Sequence, residues 1–388
     1  MKMFEGKNVL VLDGNSRQIL PVLHGLSQLG CNITTFCESK LDNGYASKYV
    51  SKKILISEPD REAYYKRVLD ELKTNKYDVL LALSDALMDM MTQHENEIKQ
   101  HVKFPFASRE VFMMAYNKQF TMEACMNEHI PCPITKYEGE TLDEIVSKIG
   151  FPLIAKPRMA CGSMGLKIVK DRKQLDSLIA DGTIELDKYV IQEFIPQTGK
   201  QINVHLFMDD DGNLKSGIVT EKTRWYPVDG GASCLCRTIH NDAVLADCEK
   251  LLKSINWRSY CEIELIEDPR DGQYKIMEIN GRASASIKIM DLAGVNVAEQ
   301  MMQLSYCEEV AEAKDYKNDV RMRRLSADCL WFLQAKDRFS RKPSWFSLKN
   351  THEVTFSAAD PKPFFATGLK LVTELGTYKK EMQKRKRT

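Results

Sequence analysis

Cys261-Glu262-Ile263-Glu264-Leu265-Ile266 and Tyr274-Lys275-Ile276-Met277-Glu278-Ile279-Asn280-Gly281-Arg282 read as the two strands of one hairpin. Asp268-Pro269-Arg270-Asp271-Gly272 between them reads as its turn, since proline and glycine supply the dihedrals of a reversal. A hairpin centred near Arg270 sets Glu264 opposite Glu278. Side chains alternate across a strand, so Glu262 and Glu264 share one face, as do Glu278 and Asn280. Up to four oxygen-bearing side chains then converge. Carboxylates gathered in a half-buried place repel unless a cation bridges them, and Mg²⁺ held through carboxylates and nucleotide phosphates suits these donors. Glu262 is a fair candidate for a solvent-facing strand edge instead. The hydrophobic neighbours of Glu278 predict a central strand.

Upstream, the strand Pro152-Leu153-Ile154-Ala155 runs into Lys156-Pro157-Arg158-Met159-Ala160-Cys161-Gly162-Ser163-Met164-Gly165 and then the strand Leu166-Lys167-Ile168-Val169. Glycines in such a turn let backbone N–H groups approach phosphate oxygens, although the spacing is not that of a P-loop and a plain β-hairpin has the same pattern. Lys156 separates the two readings. A lysine at the end of a buried strand needs an anion to offset its desolvation, and a triphosphate supplies several.

Further out, Val9-Leu10-Val11-Leu12, a helix-period stretch from Ile19 to Leu29, and Asn32-Ile33-Thr34-Thr35-Phe36 read as β-α-β. With Val79-Leu80-Leu81-Ala82-Leu83 they predict a parallel sheet flanked by helices over the first hundred residues or so. Gly14 is one glycine where a dinucleotide fingerprint needs three, so it reads as a plain strand-to-helix turn. After Ala311 the chain turns aromatic and basic, with no motif tied to a reaction, and reads as a packing subdomain or an oligomer contact.

Lysine in Asn117-Lys118, the strand, lysine and glycine loop at 152–165, Val190-Ile191-Gln192-Glu193-Phe194-Ile195, and Glu264 with Glu278-Ile279-Asn280-Gly281-Arg282 stand in the order of the ATP-grasp superfamily. The chain resembles its carbamoyl-phosphate-synthase-like and carboxylate–amine ligase members over about residues 1–305. The joint order carries the likeness; no single motif does. The resemblance implies an N-terminal parallel α/β (pre-ATP-grasp) domain at 1–112 followed by a two-lobed ATP-grasp region. The first lobe, with the glycine loop, spans 113–196, the second, with the metal hairpin, spans 197–310, and a C-terminal extension covers 311–388.

It further implies roles, position by position. Lys118 and Lys156 resemble the lysines that hold ATP phosphates, under a loop containing Arg158, Gly162, Ser163 and Gly165. Glu193 and Ile195 resemble the adenine hinge, and Glu264, Glu278 and Asn280 the Mg²⁺ ligands, with Mn²⁺ an alternative cation. Arg282 is similar to the arginine that stabilises the transferred phosphoryl group. Many members carry an acidic residue for ribose where this chain has Gln201. The loop Thr220-Glu221-Lys222-Thr223-Arg224-Trp225-Tyr226 lies in a region that covers phosphates and acceptor in the family; Arg224 is its candidate for a γ-phosphate or carboxylate contact, because a planar fork matches either group. Lys222 fits an exposed loop as readily, and His205, His240 and Trp225 are read as packing or surface residues.

The implied activity is a ligase that phosphorylates a carboxylate and couples the acyl phosphate to an amine or other nucleophile. The alternatives are phosphorylation of bicarbonate, against which length counts because a full carbamoyl-phosphate synthetase subunit carries two such modules, and a regulatory subunit that binds nucleotide without turnover. Substrates would be a small carboxylate and an amine, with a homodimer allowed. A 388-residue chain with 43% hydrophobic and 28% charged residues and a formal charge of +1 has no long-range pull toward nucleic acid or anionic membrane. The basic run from Lys379 to Arg387 reads as a frayed helix end. Eleven scattered cysteines fit reduced thiols, and Met1 to Gly6 has no signal-peptide core, so the expectation is a cytoplasmic protein.

Overall fold

A computed structural model describes residues 2–159, 164–228, 231–313 and 315–373. Gly162, Ser163 and the C-terminal basic run lie outside the described residues.

The apolar runs at the N-terminus form β1 (Asn8–Val11), β2 (Asn32–Cys37), β3 (Lys52–Leu55) and β4 (Val79–Leu81), a sheet in the order β3-β2-β1-β4 with every pair parallel. Val9 to Leu12 are completely buried, as expected where helices cover both faces of a parallel sheet. Gly14 follows β1, and a Cβ there would stand 2.3 Å from the Phe36 carbonyl oxygen, so its glycine serves a close chain crossing.

β5 (Leu153–Pro157), β6 (Lys167–Val169) and β7 (Tyr189–Glu193) make a small antiparallel sheet, order β6-β5-β7. It has its own core, centred on Ile145, Leu153, Val169, Leu175 and Ile191.

The third sheet joins β8 (Gln201–Met208), β9 (Leu214–Tyr226), β10 (Ala232–Ile239), β11 (Ser259–Glu267), β12 (Tyr274–Asn280), β13 (Arg321–Arg323) and β14 (Thr351–Glu353) in the order β12-β11-β8-β9-β10-β13-β14. Two expectations change here. β12 is an edge strand: its apolar residues Ile276 and Ile279 share a core with Phe112, Ala115, Met122 and Cys125 of the helices Arg109–Tyr116 and Lys118–Asn127, so hydrophobic neighbours meant cover by helices. Glu262 lies on the internal strand β11 and is 4% exposed, so it is no solvent edge. The segment after 311 adds β13 and β14 to this sheet. Among the described residues its last helix, Lys362–Thr373, packs against the short helix Asn43–Ala46 that follows β2, where Lys370 pairs with Asp42 at 2.7 Å and Thr367 donates to Asn43 at 2.8 Å.

Candidate active site

A cleft of about 520 Å³ lies between the small sheet and the seven-stranded sheet, lined by Lys156, Gln192 and Glu193 on one side and Glu264, Glu278 and Asn280 on the other. Its floor follows from strand register. β11 pairs with β12 and β8 so that Asn203, Glu264 and Glu278 form one row across three strands and His205, Glu262 and Asn280 the next. Glu264 faces Glu278 as the alternation predicts, with a bulge just past Glu264.

Cations complete the floor. Lys222 Nζ is 2.7 Å from Glu264 Oε2 and Lys118 Nζ 3.3 Å from Glu278 Oε2. Asn280 Nδ2 donates to Glu264 Oε1 at 3.3 Å, Arg282 donates to Asn280 Oδ1 at 3.0 Å and to Asp85 at 3.1 Å, and Ser286 donates to Glu262 at 2.6 Å. Lys118 is set by its own neighbour: Asn117 caps the helix Lys118–Asn127 by accepting from the Gln119 amide, and the Lys118 amide donates to the Arg158 carbonyl at 2.9 Å. That bond ties Lys118 to the end of β5, which carries Lys156. Gly165 closes the loop from Lys156 at φ +73°, against the Pro157 ring.

Charge and burial act together. Burial, then the like charges of Glu278 and Glu262, holds the Glu264 carboxyl above its usual range although Lys222 opposes this. Burial also works against ionising Glu278, but Lys118 and Lys156 outweigh it and its pKa is lowered. Glu262 is lowered too, because the His205 ring, Arg282 and the Ser286 hydroxyl outweigh burial. Lys156 is 8% exposed and donates to the Met277 carbonyl at 3.4 Å; burial lowers its pKa to about 8. Two facing carboxylates with hard oxygen neighbours fit a divalent cation. The Asn203 Oδ1 atom, buried without a hydrogen-bond partner in the row beside Glu264, fits it as well.

The structure brings Lys118, Lys156, Glu193, Ile195, Gln201, Glu264, Glu278, Asn280 and Arg282 to this one cleft. Glu193 is tied by its side chain to Arg270 and Lys275, and the Ile195 carbonyl accepts from Gln197. Arg158 is not among the lining residues and pairs with Glu138 at 3.3 Å.

Arg224 is a correction. It is 2% exposed, grips the fully buried Asp328 in a fork of 2.6 and 2.7 Å, and lies over the Trp331 ring. The register of β9 against β10 shifts around Leu235, so the alternation that puts Lys222 in the cleft does not carry two residues further, and Arg224 meets the helix Leu325–Gln334 instead. Arg323 reaches the same carboxylate at 2.6 Å. Asp328→Asn should therefore destabilise the protein by about 3–5 kcal/mol, seen as a lower denaturation midpoint, because it strands two buried guanidinium groups. A loss under 1 kcal/mol would speak against this pairing.

Sequence reasoning missed Arg17, Gln192, Asn203 and Arg324 as cleft residues. Gln192 is fully buried with its Oε1 atom unpartnered, a signal that only packing reveals. Lys222, which by sequence fits an exposed loop as readily as the site, is the partner of Glu264.

The family described as "Carbamoyl-phosphate synthase L chain, ATP binding domain" matches residues 118–313, half of the chain. The chain is 24% identical over 249 residues to D-aspartate ligase of Enterococcus faecium, covering 58% of each. It is 29% identical over 207 residues to D-alanine–D-alanine ligase of Bacillus anthracis, covering 45% of this chain and 64% of that protein. It thus spans under two thirds of the length of either relative. Among solved structures, the biotin carboxylase domain dimer of Hydrogenobacter thermophilus 2-oxoglutarate carboxylase, in complex with MgADP, ADP and bicarbonate, superposes with a TM-score of 0.66 at 15% identity, over 83% of this chain and 74% of that one. With the family match, the motif order and this fold, the chain belongs to the carbamoyl-phosphate synthase L chain ATP-binding family, an ATP-grasp protein.

Proposed function

We propose that this protein is an ATP-dependent carboxylate–amine ligase, which phosphorylates a substrate carboxylate and lets an amine or other nucleophile capture the acyl phosphate, releasing ADP and phosphate. The observation that carries the reading is the buried, facing pair Glu264 and Glu278 with Lys118, Lys156, Lys222 and Arg282 around it in one cleft. The names of the two ligase relatives support the amine-coupling form.

In this reading Glu264, Glu278 and Asn280 hold Mg²⁺, or Mn²⁺ through the same oxygen donors, which when bound neutralises charge on the phosphates. Lys118 and Lys156 bind phosphate oxygens, and Lys156 keeps its proton below about pH 8. Arg282, anchored by Asp85, places its guanidinium where the carboxylate meets the γ-phosphoryl group. Glu193 and Ile195 present backbone groups to adenine, and Gln201 offers an amide to ribose. Catalysis is then positioning and charge neutralisation, and no serine or cysteine nucleophile takes part. The same proposal places the protein in the cytoplasm, where ATP is supplied.

Screening ADP release against amino acids, hydroxy acids and bicarbonate tests the reading. ATP with magnesium should raise Tm, by the equivalent of about 2.7 kcal/mol at a hundredfold excess over Kd, and GTP should do less. No ADP from any acid, together with no ATP-dependent shift, would overturn the ligase reading. Equal shifts with both nucleotides would remove the adenine role of Glu193 and Ile195.

A further inference from the structure

An ordinary surface helix turns its apolar stripe inward and its polar residues to water, and the helix Lys362–Thr373 does the reverse. Thr367 and Lys370 face the protein, donating to Asn43 at 2.8 Å and to Asp42, whose carboxylate is fully buried, at 2.7 Å. Phe365, Gly368, Leu369 and Val372, at helical spacing, form the outward face. Phe365 is 66%, Leu369 54% and Val372 65% exposed, and no described atom lies within 4 Å of where a Gly368 side chain would begin. The stripe continues onto Phe364, which meets Phe365 and Phe356 edge to face with ring centroids 5.5 Å apart in each pair, and Phe356 is itself exposed. A contiguous apolar patch held in place by polar anchors marks an interaction surface.

Charge indicates what covers it. Past this helix, residues 379–387 carry six Lys and Arg against one Glu, in a chain whose formal charge is only +1. Positive charge is therefore concentrated just after the stripe. An apolar helix face adjoining a polybasic run matches the two layers of an anionic bilayer surface, where the acyl boundary takes the apolar side chains and the headgroups take the cations. A second copy of the chain fits less well, because a two-fold contact through one stripe brings two like-charged runs to the same interface. Nucleic acid would use the cations but would leave Leu369 and Val372 in water, since aliphatic side chains offer bases no stacking surface.

We propose that the outward face of the helix Lys362–Thr373 and the basic run that follows it dock the protein on the surface of an anionic lipid bilayer. Among the described residues no helix is long and apolar enough to cross a membrane, so the contact is with its surface. Phe365, Leu369 and Val372 enter the headgroup boundary, and the basic run, which by sequence reads as a frayed helix end, holds the anionic headgroups. The inference is independent of the ligase reading, because none of these apolar residues lines the cleft.

Cosedimentation of the full chain with phosphatidylcholine vesicles, with and without about 30 mol% phosphatidylserine, tests it. Binding should be at least about tenfold tighter to the anionic vesicles, and should fall by about tenfold or more between about 0.1 M and about 1 M salt as the attraction is screened. Phe365→Ser with Leu369→Ser should weaken it at least about tenfold, and so should Lys384→Gln, Arg385→Gln, Lys386→Gln and Arg387→Gln together, because stable anchoring needs both signals. Phe365 and Leu369 are exposed, so the serine pair should leave Tm and its increase by ATP unchanged, which separates lost docking from a lost fold. The inference is overturned if anionic vesicles are not bound, if neutral vesicles bind equally well, or if the serine pair binds like the parent. In place of vesicle binding, a dimer in sedimentation equilibrium that the serine pair dissociates would give the face to a second copy. Single-stranded RNA held through the basic run, again without vesicle binding, would give that run to nucleic acid, and either result overturns the inference.

Discussion

Glu278→Gln is expected to lower kcat/KM for ADP release by about a thousandfold, with an unchanged far-UV circular dichroism spectrum. The glutamine keeps shape and hydrogen-bonding capacity but loses the charge that faces Lys118 at 3.3 Å and Glu264 across the hairpin. Folding should tolerate the change, because β12 is held by its pairing with β11 and by apolar cover from helices. Relieving one like charge should also let Glu264 ionise more readily, since Glu278 helps to raise its pKa. Tm in the absence of nucleotide then changes little, while the stabilisation by ATP with magnesium largely disappears. Near-normal ADP release from this variant would remove Glu278 from the metal site.

Lys156→Met comes second, with an expected loss of about 2–4 kcal/mol of transition-state stabilisation, or roughly 30- to 1000-fold in kcat/KM. The ammonium is a compact charge on a flexible stem, suited to follow phosphate oxygens as the phosphoryl group moves, and methionine keeps most of its volume. Stability gives an independent readout. Burial lowers Lys156 from 10.5 to about 8, so between those pH values the unfolded chain binds more protons than the native state, and nucleotide-free, metal-free protein gains stability as pH rises through that window. Below pH 8 the penalty of the buried charge is fully present. The methionine variant should lose this pH-dependent gain and melt no lower than the parent at pH 7. If it melts far lower, yet its folded fraction releases ADP normally, Lys156 is a structural ion-pair residue and the loop beside it only a hairpin.

Local pattern carried a great deal of this protein. The apolar run Val9 to Leu12 became the buried strand β1, and the hairpin around Arg270 placed Glu264 opposite Glu278, because alternation and turn chemistry are properties of neighbouring residues. The Asn117 cap likewise marks the helix that Lys118 begins. These features survive any packing that keeps the strands paired and the helix started, so they could be read one residue at a time.

Other features depended on partners far away in the chain. Arg224 looked suited to phosphate until the fold supplied Asp328, 104 residues later, as a buried counter-ion. Lys222, two residues earlier, took the opposite fate because a register shift lies between them. Apolar neighbours around Glu278 were compatible with a central strand or with an edge roofed by helices, and periodicity cannot tell which element supplies the cover. Arg17 and Arg324, from opposite ends of the chain, line one cleft only because the fold brings the turn after β1 and the C-terminal segment to it. The sequence by itself determined which side chains share a face, since that follows from the strand repeat of two residues. The tertiary structure alone decided which charges meet, since the desolvation that makes a pairing obligatory arises only when distant segments close over it.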